Sequence, residues 1–172
     1  MVRKYTVKVT LNNFEKLITR KFEINDNVKI EDFCKAIIVS MNGDLSHLYQ
    51  LKYKNKRYVC SYMDAEGSDE LKMRSLRIST LLFDKNDKLD LWYDFGDDWH
   101  FKITISKIEE EHNPKNIILI DGKGKGIEED CGGSWGLEEL IENADNDWEY
   151  DINDFSIDEI NEYLDKYYNE RK

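Results

Sequence analysis

Residues 89–106 read LDLWYDFGDDWHFKITIS, and the reading of this stretch decides the fold. Upstream, Leu89, Leu91, Tyr93 and Phe95 alternate with Asp90, Trp92 and Asp94. Downstream, Trp99, Phe101, Ile103 and Ile105 alternate with His100, Lys102, Thr104 and Ser106. Side chains alternate across a strand, so both apolar sets reach one face only if the loop between them has an odd number of residues. A loop of Gly96-Asp97-Asp98 predicts Phe95 opposite Trp99, Tyr93 opposite Phe101 and Leu91 opposite Ile103. On the second face the same register sets Asp94 opposite His100, and Trp92 opposite Lys102 in a cation–π pair worth about 0.5–1 kcal/mol. Gly96 supplies backbone freedom at the turn, and Asp97 and Asp98 suit its solvated tip.

Working outward, Val2, Tyr5, Val7 and Val9 approximate a period of two, Asn12-Asn13 breaks it, and Leu17-Ile18 with Phe22-Ile24 resume it, so residues 1–24 read as a hairpin. From Lys29 the period changes. Ile30, Phe33, Cys34, Ile37, Ile38 and Met41 share one face of a helix, with Asn25, Asp26 and Asn27 as cap candidates and Asn42-Gly43 as its end. Leu48–Tyr53 and Arg57–Cys60 form a second extended pair, residues 61–74 read as a long polar loop, and Ser79 or Thr80 caps a short turn through Phe83. After the central hairpin come the lone proline, Pro114, a short strand at Ile117–Ile120, a glycine-rich loop at 121–136 and a helix at Leu137–Asn143. Ser156 with Glu159 makes a capping box for a last helix whose Ile157, Ile160, Leu164 and Tyr167 line one face. This order predicts a single α+β domain over residues 1–172. Its mixed or antiparallel sheet has a β-grasp-like ββαββ start, a long hairpin and C-terminal helices. The β-rich core occupies about 1–120, and the glycine loop and acidic helical part follow at 121–172.

Composition narrows the function. A chain of 172 residues with 40% hydrophobic residues buries a core without staples. No apolar run approaches the roughly 20 residues of a membrane span, and the alternating start MVRKYTVKVT lacks the apolar stretch of a signal peptide; a cytoplasmic protein with no membrane partner is expected. Cys34, Cys60 and Cys131 stand far apart, which argues against a disulfide framework and a structural zinc site. Residues 1–60 carry 12 Lys+Arg against 6 Asp+Glu, which leaves 13 and 30 of the chain's 25 and 36 for residues 61–172. Nucleic acid is therefore expected to meet only the basic part, 1–60, because the acidic remainder repels phosphate.

The chemistry-bearing candidates cluster in two loops. Asp94 facing His100 is the best acid/base pair, and Glu129 and Asp130 join them as catalytic candidates. Asp94, Asp97 and Asp98 are hard oxygen donors for a divalent metal, although their spacing is not that of an EF-hand. Asp145, Asp147, Asp151 and Asp154 form a similar string without the glycine such a loop needs. The DFG at 94–96 lacks every other kinase motif, and the glycine loop lacks the GKS or GKT of a Walker A sequence. Lys123 and Lys125 offer phosphate contacts there, opposed by Glu128, Glu129 and Asp130. Cys131 has no neighbouring histidine to activate it. No organic cofactor is expected.

Several stretches together resemble one known family. YDFGDDW at 93–99, EEDCGGSWGLEEL at 128–140, DINDFSIDEINEYL at 151–164 and SHLYQL at 46–51 match, in order and spacing, the plasmid pRiA4b ORF-3-like proteins. The resemblance implies a compact α+β fold and a prokaryotic, often mobile-element, setting; it supplies no mechanism. The chain departs from the family pattern at Phe101, where many members have histidine, and at Gly126, Ile127 and Glu128, which replace a cysteine and a proline pair. Three functions follow. A non-catalytic interaction module with a protein partner accounts for the lack of a complete triad, zinc set or nucleotide loop. A metal-assisted hydrolase or nuclease requires Asp94 or Asp97 to approach Glu129 or Asp130, and a separation beyond about 12 Å excludes it. Nucleic-acid binding would use the basic part, 1–60.

Overall fold

Alternating burial along its strands gives the chain one large sheet with a wet face and a dry face. The computed structural model describes residues 1–143 and 150–170. In chain order the elements are β1 (Val2–Leu11), β2 (Thr19–Asn25), α1 (Ile30–Ser40), β3 (Tyr49–Tyr53), β4 (Lys56–Val59), β5 (Glu70–Lys72), β6 (Lys88–Tyr93), β7 (Trp99–Glu111), β8 (Ile117–Lys123), α2 (Gly133–Glu142) and α3 (Ile157–Leu164). Short 3-10 turns lie at Met73–Ser75 and Ile78–Leu81. The strands form one sheet in the order β5-β4-β3-β6-β7-β1-β2-β8, antiparallel throughout except for the parallel β4–β5 pair. The fold is α+β. The ββαββ start is present, but β6 and β7 lie between its two hairpins, so β1 pairs with β7 and not with β3 or β4.

The dry face carries Tyr5, Val7 and Val9 of β1, Phe22 and Ile24 of β2, Leu89, Leu91 and Tyr93 of β6, and Trp99, Phe101, Ile103 and Ile105 of β7, all buried. Helix α1 covers it with Ile30, Phe33, Cys34, Ile37 and Ile38, the face that its 3.6-residue period selects. Its start differs from expectation. The capping position falls on Lys29, which has no side-chain acceptor to offer, while Asn25 is occupied elsewhere: its side-chain oxygen accepts from Asn27 N at 2.8 Å, and its amide reaches the carbonyls of Pro114 and Lys115. The helix ends as predicted at Asn42-Gly43, where Asn42 turns left-handed (φ 68°) and Gly43 N donates to Ile38 O at 2.8 Å.

The central hairpin keeps the expected parity in a shifted register. Tyr93 pairs with Trp99, Leu91 with Phe101 and Leu89 with Ile103, so the loop spans Asp94 to Asp98. The reason is Asp94. It takes a left-handed conformation (φ 59°), Asp98 does the same (φ 60°), and Gly96 does not. Asp94 Oδ1 accepts from Gly96 N at 3.0 Å, and Asp98 N donates to Asp94 O at 2.6 Å. Aspartate is one of the few residues besides glycine that tolerate this backbone, so the turn closes two residues early and leaves Phe95 46% exposed. The predicted Asp94–His100 and Trp92–Lys102 pairs are therefore both corrected. His100 stands opposite Trp92 with the rings stacked at 4.0 Å, and its Nε2 lies 2.6 Å from Asp90 Oδ1. Lys102 instead reaches Glu15 at 3.0 Å.

Three further differences have local causes. The stretch read as a loop at 61–74 contains β5 and the turn that buries Met73; a strand of three residues is too short to show a period. Helix α2 begins before Leu137, because Gly132 and Gly133 adopt φ 96° and 70° as its entry turn and not as a break. Helix α3 has the predicted Ser156 cap, with Glu159 N donating to Ser156 Oγ at 3.3 Å, but runs on as a π-helical turn, Asp165–Asn169. The wider turn brings Tyr168 to the core in place of Tyr167.

The same C-terminal segment closes the β8 edge of the sheet. Leu119 N donates to Asn161 Oδ1 at 2.8 Å while Asn161 Nδ2 donates to Leu119 O at 2.8 Å. Asn169 repeats the pair on Ile117, at 3.0 and 2.8 Å. Among the described residues no helix is long and apolar enough to cross a membrane. Of the acidic string, Asp145 and Asp147 lie outside the described residues, while Asp151 and Asp154 are exposed.

Candidate metal site

Three connections meet at one end of the sheet. The β6–β7 turn brings Asp94, only 7% exposed. The α1–β3 connection brings His47, behind an Asp-led turn in which Asp44 Oδ1 accepts from Ser46 N at 2.9 Å and Leu45 is left-handed (φ 65°). The glycine loop brings Glu129 and Asp130.

That third loop is held firmly along its length. Arg20, fully buried, spends all five guanidinium N–H groups on backbone carbonyls: Nε on Ser40, Nη1 on Thr19 and Lys123, Nη2 on Gly124 and Lys125, at 2.7–3.1 Å. The Phe155 ring lies over it at 4.1 Å. Gly126 (φ 115°) passes so close to Met41 that a Cβ would strike its carbonyl. Beyond it, Ile127 N donates to Met41 O at 2.8 Å, and Tyr150 Oη donates to Gly126 O at 2.7 Å. The chain then delivers Glu129 beside Tyr93 and Asp44. Its Oε1 accepts from Tyr93 Oη at 2.8 Å and from Asp44 N at 3.0 Å, which aims Oε2 at the junction of the loops.

At that junction His47 Nε2 lies 3.4 Å from Asp94 Oδ2, 3.5 Å from Glu129 Oε2 and 3.2 Å from Asp130 Oδ1. The four donor atoms fall within 4.8 Å of one another. An imidazole nitrogen carries at most one proton, so it cannot satisfy three carboxylates. Accordingly His47 Nε2 and Glu129 Oε2 are buried with no hydrogen-bond partner, the kind of orphaned pair that native interiors avoid. The spacing fits a cation. Ligands about 2.0–2.1 Å from one ion in tetrahedral array stand about 3.3–3.4 Å apart. One nitrogen with three carboxylate oxygens suits a divalent ion of intermediate hardness, such as zinc or manganese.

The electrostatics agree with that role. Burial pushes the Glu129 carboxyl above its usual range, against the pull of Asp44 N and the Tyr93 hydroxyl. Burial and the Glu129 contact push the Tyr93 hydroxyl upward as well, so it remains a donor that orients the carboxylate. Asp130 is open to solvent, its side chain 77% exposed, so the site has a wet side where water can reach an ion.

Of the residues expected from sequence, Asp94, Glu129 and Asp130 come together here. His100 does not; it lies on the wet face of the sheet with Trp92 and Asp90. Asp97 turns away to accept from Gly132 N at 3.4 Å, and Asp98 is exposed at the tip, so neither belongs to the four-donor group. Cys131 has its thiol pushed up by burial and by the charges of Asp97 and Glu128, the reverse of an activated nucleophile. Lys125 is taken up by Glu128 and the Tyr150 ring. Sequence reasoning missed His47, the one nitrogen donor of this four-residue group. Its signals were its place in a polar turn between a helix and a strand and its membership of the family-matching stretch SHLYQL; neither marked it as a donor, because its partners come from distant loops.

A family model described as plasmid pRiA4b ORF-3-like protein matches residues 3–171. The fold is similar to that of a protein of unknown function, MM3350 from Methanosarcina mazei Go1, with a TM-score of 0.79 and 23% sequence identity over 92% of this chain and 96% of that one. No curated protein matches.

Proposed function

The chain belongs to the plasmid pRiA4b ORF-3-like family, and we propose that it is a metal-dependent hydrolase whose single divalent ion is held by His47, Asp94, Glu129 and Asp130. The observation that carries this reading is the convergence of four donor atoms within 4.8 Å, two of them buried and otherwise unpartnered. An ion there would lower the pKa of a bound water and polarise an ester or phosphoester oxygen. His47, Asp94 and Glu129 hold it from the protein side, Tyr93 and Asp44 N fix the Glu129 carboxylate, and exposed Asp130 stands at the mouth. There it would serve as the exchangeable ligand or as the base that takes a proton from water.

The test is calorimetric titration of chelator-treated protein with Zn²⁺ and with Mn²⁺, followed by turnover of chromogenic ester and phosphodiester substrates. Wild type is expected to bind one equivalent; Asp94→Asn and His47→Ala, which remove a donor or its charge, are expected to weaken binding at least about 100-fold, the upper end of what even outer partners contribute. Equal affinity in wild type and both variants overturns the metal site. Binding without turnover leaves a metal-binding protein and removes the hydrolase.

One observation favours the interaction module as a second reading. Phe95, next to Asp94, and Trp135, five residues beyond Asp130 and 76% exposed, are large aromatic side chains left in solvent on the segments that carry the ligands. Exposed aromatics of this kind anchor protein partners. Loss of a captured partner on Trp135→Ala, with metal binding unchanged, separates this role from the first.

A further inference from the structure

The helices occupy one face of the sheet and leave the other uncovered. On that open face the register builds a row of lysines: Lys21 on β2 stands opposite Lys8 on β1, Lys8 opposite Thr104 on β7, and Thr104 opposite Lys88 on β6. Neighbouring strands lie about 4.8 Å apart, so the row places three ammonium groups along roughly 14 Å. Like charges directly opposite each other destabilise a sheet. Elsewhere on this face the chain avoids such pairing: Lys4 has Glu23 and Glu109, Lys107 has Glu109, and Lys102 has Glu15. Among the described residues Lys8, Lys21, Lys85 and Lys88 form no ion pair, although Asp121 stands opposite Lys21 in the register.

A shallow depression of about 480 Å³ lies beside the row, bordered by Lys8, Lys21, Lys85 and Lys107, with Thr6 and Ser106 between them and Ile120 at its side; its two carboxylates, Glu23 and Glu109, are taken up by Lys4 and Lys107. It sits where a β-bulge shifts the β1–β7 register after Thr6, a device that re-aims side chains near binding surfaces. Farther along the same face, the stacked rings of Trp92 and His100 add a planar aromatic element. An open antiparallel sheet combining unpaired lysines, hydroxyls and a stacked aromatic is how a flat surface takes single-stranded nucleic acid, phosphates on the cations and a base on the ring. We propose that this face binds single-stranded nucleic acid, with Lys8, Lys21 and Lys88 on the phosphates.

The chain's net charge of −11 does not decide against this. The acidic helix α3 packs on the dry side and at the β8 edge. Layers pack about 10 Å apart, and charges separated by more than about 8 Å are largely screened at physiological salt. What a ligand meets is therefore the charge of the face itself, where Glu15, Glu23 and Glu109 are paired to Lys102, Lys4 and Lys107 and Lys8, Lys21 and Lys88 are left over.

The test is fluorescence anisotropy of labelled 20-mer oligothymidylate and oligouridylate with the full chain. Three phosphate contacts on a single strand give a log–log salt slope of about −2, so raising salt from about 100 to about 400 mM weakens binding about 18-fold. The triple variant Lys8→Gln, Lys21→Gln, Lys88→Gln is expected to lose that slope and at least tenfold in affinity. A control with the same charge change on the helical side, Lys29→Gln, Lys35→Gln, Lys166→Gln, should keep both. Trp92→Leu should lower affinity about fivefold or more with the slope unchanged. Absence of binding at about 100 mM salt, equal loss in the control, or capture of heparin or an acidic peptide in preference to the oligonucleotides overturns the proposal.

Discussion

Replacing Arg20 with lysine tests the argument that a buried cation organises the glycine loop. Arg20 satisfies five carbonyl oxygens with five N–H groups. Lysine brings three donors on one atom, so at least two carbonyls lose their partner. A buried acceptor left without a partner costs about 1–3 kcal/mol, and a central expectation for Arg20→Lys is about 3 kcal/mol. For a chain of this size that lowers the melting temperature by roughly 6–12 °C. Arg20→Met, which roughly keeps volume and strands all five oxygens, should cost more. Urea denaturation followed by far-ultraviolet circular dichroism reads the free energy, and differential scanning calorimetry reads the melting temperature. Since Lys123, Gly124 and Lys125 lead directly to Glu129, metal affinity should fall with stability. A loss below about 1 kcal/mol in Arg20→Lys would refute the five-carbonyl account.

Other expectations are as specific. Glu31 is buried, which pushes its carboxyl up, but the hydroxyl and N–H of Ser61, the Lys35 charge and the Tyr49 hydroxyl outweigh this and hold it below its usual value. Its contribution is therefore present above the unfolded pKa of about 4.3 and lost as pH falls through the lower folded value; Glu31→Gln should flatten the fall in urea midpoint between neutral and acid pH. Glu129 has the opposite shift, so an ion bound at the proposed site would compete with a proton there, and calorimetric metal affinity should climb with pH through a window displaced upward from the usual carboxylate range. Gly132 and Gly133 both have positive φ, but only at Gly133 would a Cβ meet the Asp97 carbonyl. Gly132→Ala should cost about 1 kcal/mol and Gly133→Ala roughly 2–4 kcal/mol, measured by chemical denaturation. Ser156→Ala should lose about 1 kcal/mol with the cap of α3.

What could be read from sequence was what short-range periods encode. The face of α1, the parity of the central hairpin and the Ser156 cap each depend on residues within a few positions of one another, and each is as expected. The register of that hairpin was not legible. Two closures share one parity, and the choice rests on Asp94 accepting a left-handed backbone, an energy of about 1–2 kcal/mol that no apolar pattern reports. The candidate site was half legible: three of its four donors could be named because acidic residues stood in conspicuous loops. Their meeting with His47 depends on β6, α1 and the glycine loop ending at one corner, a consequence of strand order. Likewise Tyr168 replaces Tyr167 in the core because a single wide turn resets the helical phase.

The two asparagines on β8 carry a chemical vulnerability. Asn161 and Asn169 each use both halves of a carboxamide, oxygen toward an N–H and nitrogen toward a carbonyl. Hydrolytic deamidation would convert either into a carboxylate, exchanging the donor for a negative oxygen aimed at the carbonyl of Leu119 or Ile117. Such a change would free α3 from the sheet and uncover a row of unpaired backbone groups able to recruit the strand of another molecule. The long-term solubility of this protein would then hinge on the chemical age of two side-chain amides.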